Sequence, residues 1–187
     1  MESITQGYNR KCKDSIAGVS DVWLFPYVKY GRTEIVTNGV FLETIPETII
    51  YRFNPLTVNF SEAHSEEAGG KFYSQDLTLT FPVAEDIPNL EKLTNLDFGA
   101  IIKDRNGNYR VLGLFNGLQC QGISYNTGNA KVDLNGFNLS FDGREKYAAY
   151  FVEDLEDAGF FDVATAFRIT QAGELRITEN NEIRITE

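Results

Sequence analysis

The sequence predicts a mainly β fold, a β-sandwich or barrel carrying one short flanking α-helix, a long hairpin loop and a C-terminal β-hairpin repeat. Three observations predict it. Aromatic content is carried by 14 Phe and 9 Tyr, with 16 Gly to supply turns, a balance that favours strands joined by tight connections. Four Asn-Gly dipeptides, at Asn38-Gly39, Asn106-Gly107, Asn116-Gly117 and Asn135-Gly136, match the preference of two-residue hairpin turns. Segments such as Asp76–Phe81 alternate polar and apolar residues, as half-buried strands do.

In chain order, Val22–Tyr30 is the first dense apolar run, followed by the β-branched and aromatic segments Glu34–Phe41 and Glu47–Phe53, all read as strands. Ser61–Ser74 is polar and acidic and contains Gly69-Gly70, which predicts a long loop or hairpin tip between two strands. Asp86–Asp97 places Asp86 as an N-cap, Pro88 in the first turn, and Ile87, Leu90 and Leu93 on one face, the pattern of a short helix packed on a sheet. Gly99–Lys103 and Tyr109–Phe115 flank a turn, and Lys131–Phe141 alternates around Asn135-Gly136. After Tyr147–Val152 the acidic run Glu153, Asp154, Glu156 and Asp157 ends at Gly159, dividing a core domain, residues 1–159, from an appendage, residues 160–187. That appendage repeats Arg-Ile-Thr three times at an eight-residue period, ending at Thr170, Thr178 and Thr186, as successive hairpin strands would. A sheet that small is marginal alone and calls for support from the core domain or a neighbour.

The 187 residues suffice for one ordinary domain with a single core. A net charge of −10 disfavours tight nucleic-acid binding, though a conduit that must release DNA benefits from repulsion. Cys12 and Cys120 form no paired motif and are read as reduced thiols. Met1–Asp14 has no apolar signal core, and no stretch approaches the ~20 apolar residues of a membrane span, so a soluble protein made in the cytoplasm is expected.

Catalytic chemistry finds little support. His64 is the one histidine and lies in the most loop-like segment, where rigid positioning is hardest. One His and two distant Cys match no zinc spacing. Asp104–Asn108 holds oxygen donors but lacks the rest of a calcium loop, and its flanks favour a hairpin turn. Gly69-Gly70-Lys71 lacks the Walker spacing. Paired carboxylates such as Glu66 and Glu67, or Glu153 and Asp154, read by default as solvated charge among 27 acidic residues. No enzyme, cofactor or metal is expected. Glu62, His64, Glu66, Glu67 and Lys71 are instead candidate subunit-interface residues, where complementary charge fixes register more than affinity.

Tyr73–Phe151 runs YSQDLTLTF, DIPNLEKLTNLD, GAIIKDRNGNYRVLGLFNGL and TGNAKVDLNGFNLSFDGREKYAAYF. In this order the stretch resembles the core of bacteriophage tail tube proteins, those of Bacteroidetes-infecting phages in particular. The resemblance covers somewhat under half the chain and is one of pattern. It implies a β-sandwich that extends a long hairpin, here Thr57–Phe81, with Ser61–Ser74 as the tip reaching an adjacent subunit or ring. It also implies six-fold rings whose inner strands form a continuous barrel around a channel. The partners implied are further copies of the chain, other tail proteins and, in a contractile tail, a sheath, with genomic DNA passing through the lumen without specific binding. The implied location is the virion tail, assembled in the host cytoplasm. Two other functions fit the residues: a head–tail connector or tail terminator ring that does not stack, and a carbohydrate- or cell-surface-binding β-sandwich using exposed Tyr residues and the Arg-Ile-Thr hairpins.

Overall fold

The computed structural model describes residues 16–31, 34–67, 70–82, 93–128 and 135–162. Its strands are β1 (Val19–Pro26), β2 (Val36–Thr37), β3 (Leu42–Thr44), β4 (Thr48–Phe53), β5 (Thr57–Glu67), β6 (Gly70–Pro82), β7 (Asp97–Asp104), β8 (Tyr109–Leu112), β9 (Leu118–Asn126), β10 (Gly136–Glu145), β11 (Tyr150–Val152) and β12 (Phe160–Asp162). Ten of them form one sheet in the order β12-β4-β1-β7-β9-β10-β6-β5, with β8 pairing β7 and β11, while β2 and β3 pair separately. The protein is mainly β and sandwich-like, and the described strands do not close into a barrel.

The sandwich arises because two strands share one edge of β7. Ala100–Lys103 pairs with Tyr109–Leu112 of β8, whereas Asp97 and Phe98 pair with Gln119 and Leu118 of β9. From this fork β9, β10, β6 and β5 continue as a second layer facing the first. Val22, Leu24, Ala100 and Ile102 of the first layer meet Leu77, Leu79, Leu118, Leu139 and Phe141 of the second in one core. On the first layer's other side Trp23, Phe25, Ile50, Ile101 and Phe160 form another core, closed by Leu42 of β3 and by Ile45 and Ala158 from the connections. Strands β1 and β7 are covered on both faces, which is why they read as continuous apolar runs. Burying each of Phe25, Phe141 and Phe160 contributes about 1.5–3 kcal/mol.

The sheet corrects several sequence expectations. Strand pairing runs through most of Ser61–Ser74, with Ser61↔Asp76, Ala63↔Ser74, Ser65↔Phe72 and Glu67↔Gly70 in register, so of the two readings, loop or hairpin tip, the hairpin holds and is paired as strand nearly to its end. A polar strand with one solvated edge gives the same composition as a loop. Gly136 is no hairpin turn: it opens β10, paired with both Pro82 and Asn126, and a Cβ there would lie 2.1 Å from the Phe81 carbonyl oxygen. Of Glu34–Phe41 only Val36–Thr37 is strand, ahead of a turn in which the Asn38 side chain accepts from the Val40 and Phe41 amides. The turn at Asn106-Gly107 does join a hairpin. The Asp104 carboxylate accepts from the Asn106 and Asn108 amides and from the Asn108 side chain, and Gly107 takes φ 89°. The expected helix lies outside the described residues except for its end, where Leu93–Asn95 is a 3₁₀ turn and Asp97 already opens β7. β12 adds parallel to β4 with Phe160 wholly buried, so the core continues past the boundary drawn at 159. The Arg-Ile-Thr repeats lie outside the described residues. Among those described, no helix is long and apolar enough to cross a membrane.

Candidate assembly surface

The second layer presents a four-stranded wall whose inner side chains are locked into the core and whose outer face is polar. Rungs across β5, β6, β10 and β9 read Thr57, Thr80, Asn138, Ser124, then Asn59, Thr78, Ser140, Gly122. Small hydroxyl and amide side chains therefore cover it where alternate positions bury Leu77, Leu79 and Leu139. Toward the hairpin end follow Ser61, Asp76 and Asp142, with Asp76 directly opposite Asp142. Like charges so placed repel, and the Gln121 amide donates to Asp142, orienting one of the two. Gln121 is the extra residue of a bulge where β10 shifts register between Ser140 and Phe141.

Among the described residues both lateral edges of the wall lack a full strand partner. β5 pairs with β6 over eleven residues and has no described strand on its other side, and β9 pairs with β7 only at Leu118 and Gln119, its continuation to Asn126 meeting no described strand on that edge. The last β10 partner of β6 is Tyr73, so the hairpin beyond His64 and Tyr73 projects as a two-stranded ribbon.

On this ribbon stand Glu66, Glu67 and Lys71, with His64 at its base. His64 meets the Tyr73 ring edge-on at 5.2 Å, and Lys71 lies 3.8 Å from Glu66 across the hairpin. Arg144 of β10 reaches up to it, stacked on Phe72 at 5.0 Å and 3.7 Å from Glu67. These pairs are two-thirds exposed or nearly so and contribute little to stability. Glu62 is different. It turns inward at the ribbon's root, where its Oε2 accepts from the Gln75 side chain at 2.9 Å and from the Ala149 amide at 2.7 Å.

Two polar residues that the sequence reading passed over complete this root. Gln75 is buried, and its Oε1 accepts from the Gly113 amide at 3.0 Å. Glu145, the last residue of β10, is buried and accepts on Oε1 from the Phe115 and Asn116 amides at 3.0 and 2.8 Å. Its Oε2 is buried with no hydrogen-bond partner among the described residues. Burial pushes its carboxyl above the usual range, against the pull of the loop amides toward the charged form. Three side chains from three strands thus tie the ribbon to the connections at 113–117 and 146–149. No short-range sequence signal marks them, because their partners are backbone groups roughly thirty or more residues away.

No group of three or more potential metal ligands clusters among the described residues. No family model, curated protein or solved structure matches the chain.

Proposed function

We propose that this chain is a structural subunit of a bacteriophage tail tube, polymerising into stacked, six-fold rings that conduct genomic DNA during ejection, without catalytic residues. The observation that carries the reading is the wall β9-β10-β6-β5, polar on its outer face and, among the described residues, open on both edges. An eleven-residue open edge invites uncontrolled pairing unless something covers it. Pairing β5 of one copy with β9 of the next is a head-to-tail contact, and head-to-tail contacts close into rings when the rotation allows. Six such walls give about 24 strands, more than the roughly 16–18 that already leave a water-filled channel.

The face the ring turns inward suits passage rather than capture. Among the described residues its charges are Asp76, Asp142 and Arg144, and Arg144 is engaged by Phe72 and Glu67. A face whose one described cation is engaged gains little from counterion release and lets DNA slide. The projecting ribbon, with Glu66, Glu67 and Lys71, supplies contacts between stacked rings.

Electron microscopy of the purified chain over a concentration series tests this. Hollow tubes with a regular axial repeat are expected. Replacing Ser65–Phe72 by a two-residue Asn-Gly turn keeps the wall and Glu62, and is expected to leave rings that no longer stack. A monomer at every concentration, or rings of the intact chain that never stack, would overturn the tail tube reading.

A further inference from the structure

The four Asn-Gly pairs carry a latent reaction of their own. The amide nitrogen of the glycine can attack the asparagine side-chain carbonyl and close a five-membered imide, because no Cβ screens that nitrogen. Folding decides where this happens. The glycine nitrogen must be free of other hydrogen bonds, the side-chain carbonyl must lie over it, and the turn needs room to move.

Three pairs are held back. The Gly107 amide donates to the Asp104 carbonyl at 3.1 Å. The Gly117 amide is drawn to the buried Glu145 carboxylate, at a point where a Cβ would already lie 3.1 Å from the Tyr27 ring, and Asn116 Nδ2 donates to the Arg144 carbonyl at 2.6 Å. Gly136 is fixed in the sheet between Pro82 and Asn126, and Asn135 Oδ1 accepts from the Tyr125 hydroxyl at 3.0 Å.

Asn38-Gly39 differs on each count. Both residues are exposed, Gly39 takes φ 92°, and a Cβ on it would meet nothing within 4 Å. Among the described residues the Gly39 amide donates to no group. Asn38 Oδ1 reaches past it to accept from the Val40 and Phe41 amides at 3.2 and 2.9 Å, which folds the side-chain carbonyl over the turn. These two amides polarise the carbonyl and are already aimed at the oxygen on which negative charge develops as the nitrogen adds.

We propose that Asn38-Gly39 is a self-modifying site, where the turn of residues 38–41 converts its own asparagine to isoaspartate and aspartate. The Gly39 nitrogen gives its proton to solvent base and bonds to Asn38 Cγ. The Cγ–Nδ2 bond breaks, and Nδ2 leaves as ammonia with a proton from water. Water then opens the imide at either carbonyl, so the net change consumes one water and releases one ammonia without redox. Opening at the backbone carbonyl routes the main chain through the former side chain and lengthens it by one carbon. The added charge and carbon fall on a turn seated against β11, where the Val40 carbonyl accepts the Phe151 amide at 3.0 Å and Phe41 bridges to Phe151. The inference stands apart from the assembly reading, since neither the wall nor the ribbon takes part.

The test ages the whole chain in mildly alkaline buffer, folded and in parallel in urea, and follows the four Asn-Gly peptides by mass spectrometry, each conversion adding about 1 Da. In urea the four are expected to convert at similar rates, since the dipeptide is the same. In the folded protein Asn106, Asn116 and Asn135 should fall about ten-fold or more below their unfolded rates, while Asn38 keeps or exceeds its own. An isoaspartate-specific methyltransferase should then label the peptide that holds residue 38. Protection of Asn38 as strong as that of the other three, or another pair leading in the folded protein, would overturn the proposal.

Discussion

Gln75 Nε2 donates to Glu62 Oε2 at 2.9 Å across the root of the hairpin, while Gln75 Oε1 accepts the Gly113 amide at 3.0 Å from the facing layer. One wholly buried amide therefore satisfies two groups that belong to different connections. Gln75→Leu keeps the approximate volume but strips both partners. The expected loss is about 2–3 kcal/mol, read from urea unfolding, because an abandoned buried polar group costs more than the bond it made was worth. A loss under about 0.5 kcal/mol would show that water reaches this root and that Gln75 ties nothing.

The architecture was legible in the sequence wherever burial is one-sided. Alternation in Asp76–Phe81 leaves Thr78 and Thr80 half-buried on the wall's outer face and buries Leu77, Leu79 and Phe81. Ser61–Ser74 left loop and hairpin tip undivided because its β5 residues are mostly polar on both sides once the ribbon leaves the sheet, and periodicity then carries no signal. Asn135-Gly136 misled outright. Its glycine answers a close approach of the Phe81 carbonyl, a long-range contact that imitates a turn signal. Of the candidate interface residues, Glu66, Glu67 and Lys71 stand on the ribbon with His64 at its base, whereas Glu62 points inward, and spacing alone does not reveal that a strand's face turns from solvent to core along its length.

Gly99 marks the tightest packing in the first layer. A Cβ at this position would fall 2.1–2.8 Å from three atoms of the Phe25 ring, which is itself buried. Flexible relief is absent, since Phe25 already packs against Phe160 at 5.5 Å between ring centres. Gly99→Ala is expected to destabilise by about 3 kcal/mol, the upper end of overpacking costs. Gly122→Ala, where a Cβ meets nothing, serves as the control and should change stability by under about 1 kcal/mol. Parallel thermal melts of the two variants check the contrast.

Glu145 gives the fold a pH dependence of definite sign. Burial raises its carboxyl above the ordinary 4.5, so the folded state binds this proton more tightly than the unfolded one. The stability it contributes is fully present below pH 4.5 and is lost as pH rises through the folded-state value. In Glu145→Gln that slope should vanish, while Oε1 still accepts from Phe115 and Asn116. The stability of wild type relative to the variant should thus decline as pH rises from 4.5 and flatten above the folded-state value. A difference that grows with pH would mean that the loop amides outweigh burial and that the carboxylate is the favoured form.

Asp76 and Asp142 test whether the wall faces DNA. They stand opposite each other on adjacent strands, so changing one to lysine replaces a repulsion with an attraction and leaves the core untouched. Asp76→Lys is therefore expected to hold or slightly raise subunit stability, by at most about 1 kcal/mol. In an assembled ring the same change places a band of lysines around the channel. Duplex DNA, which wild-type tubes should release, is then expected to be retained at low salt and freed steeply as salt rises, since each neutralised phosphate adds to the counterion slope. Lys71→Glu, on the ribbon outside the wall, should alter ring stacking without affecting retention. If Asp76→Lys tubes of normal appearance bind DNA no better than wild type in 50 mM salt, the polar face is turned away from the channel, and β9, β10, β6 and β5 do not line it.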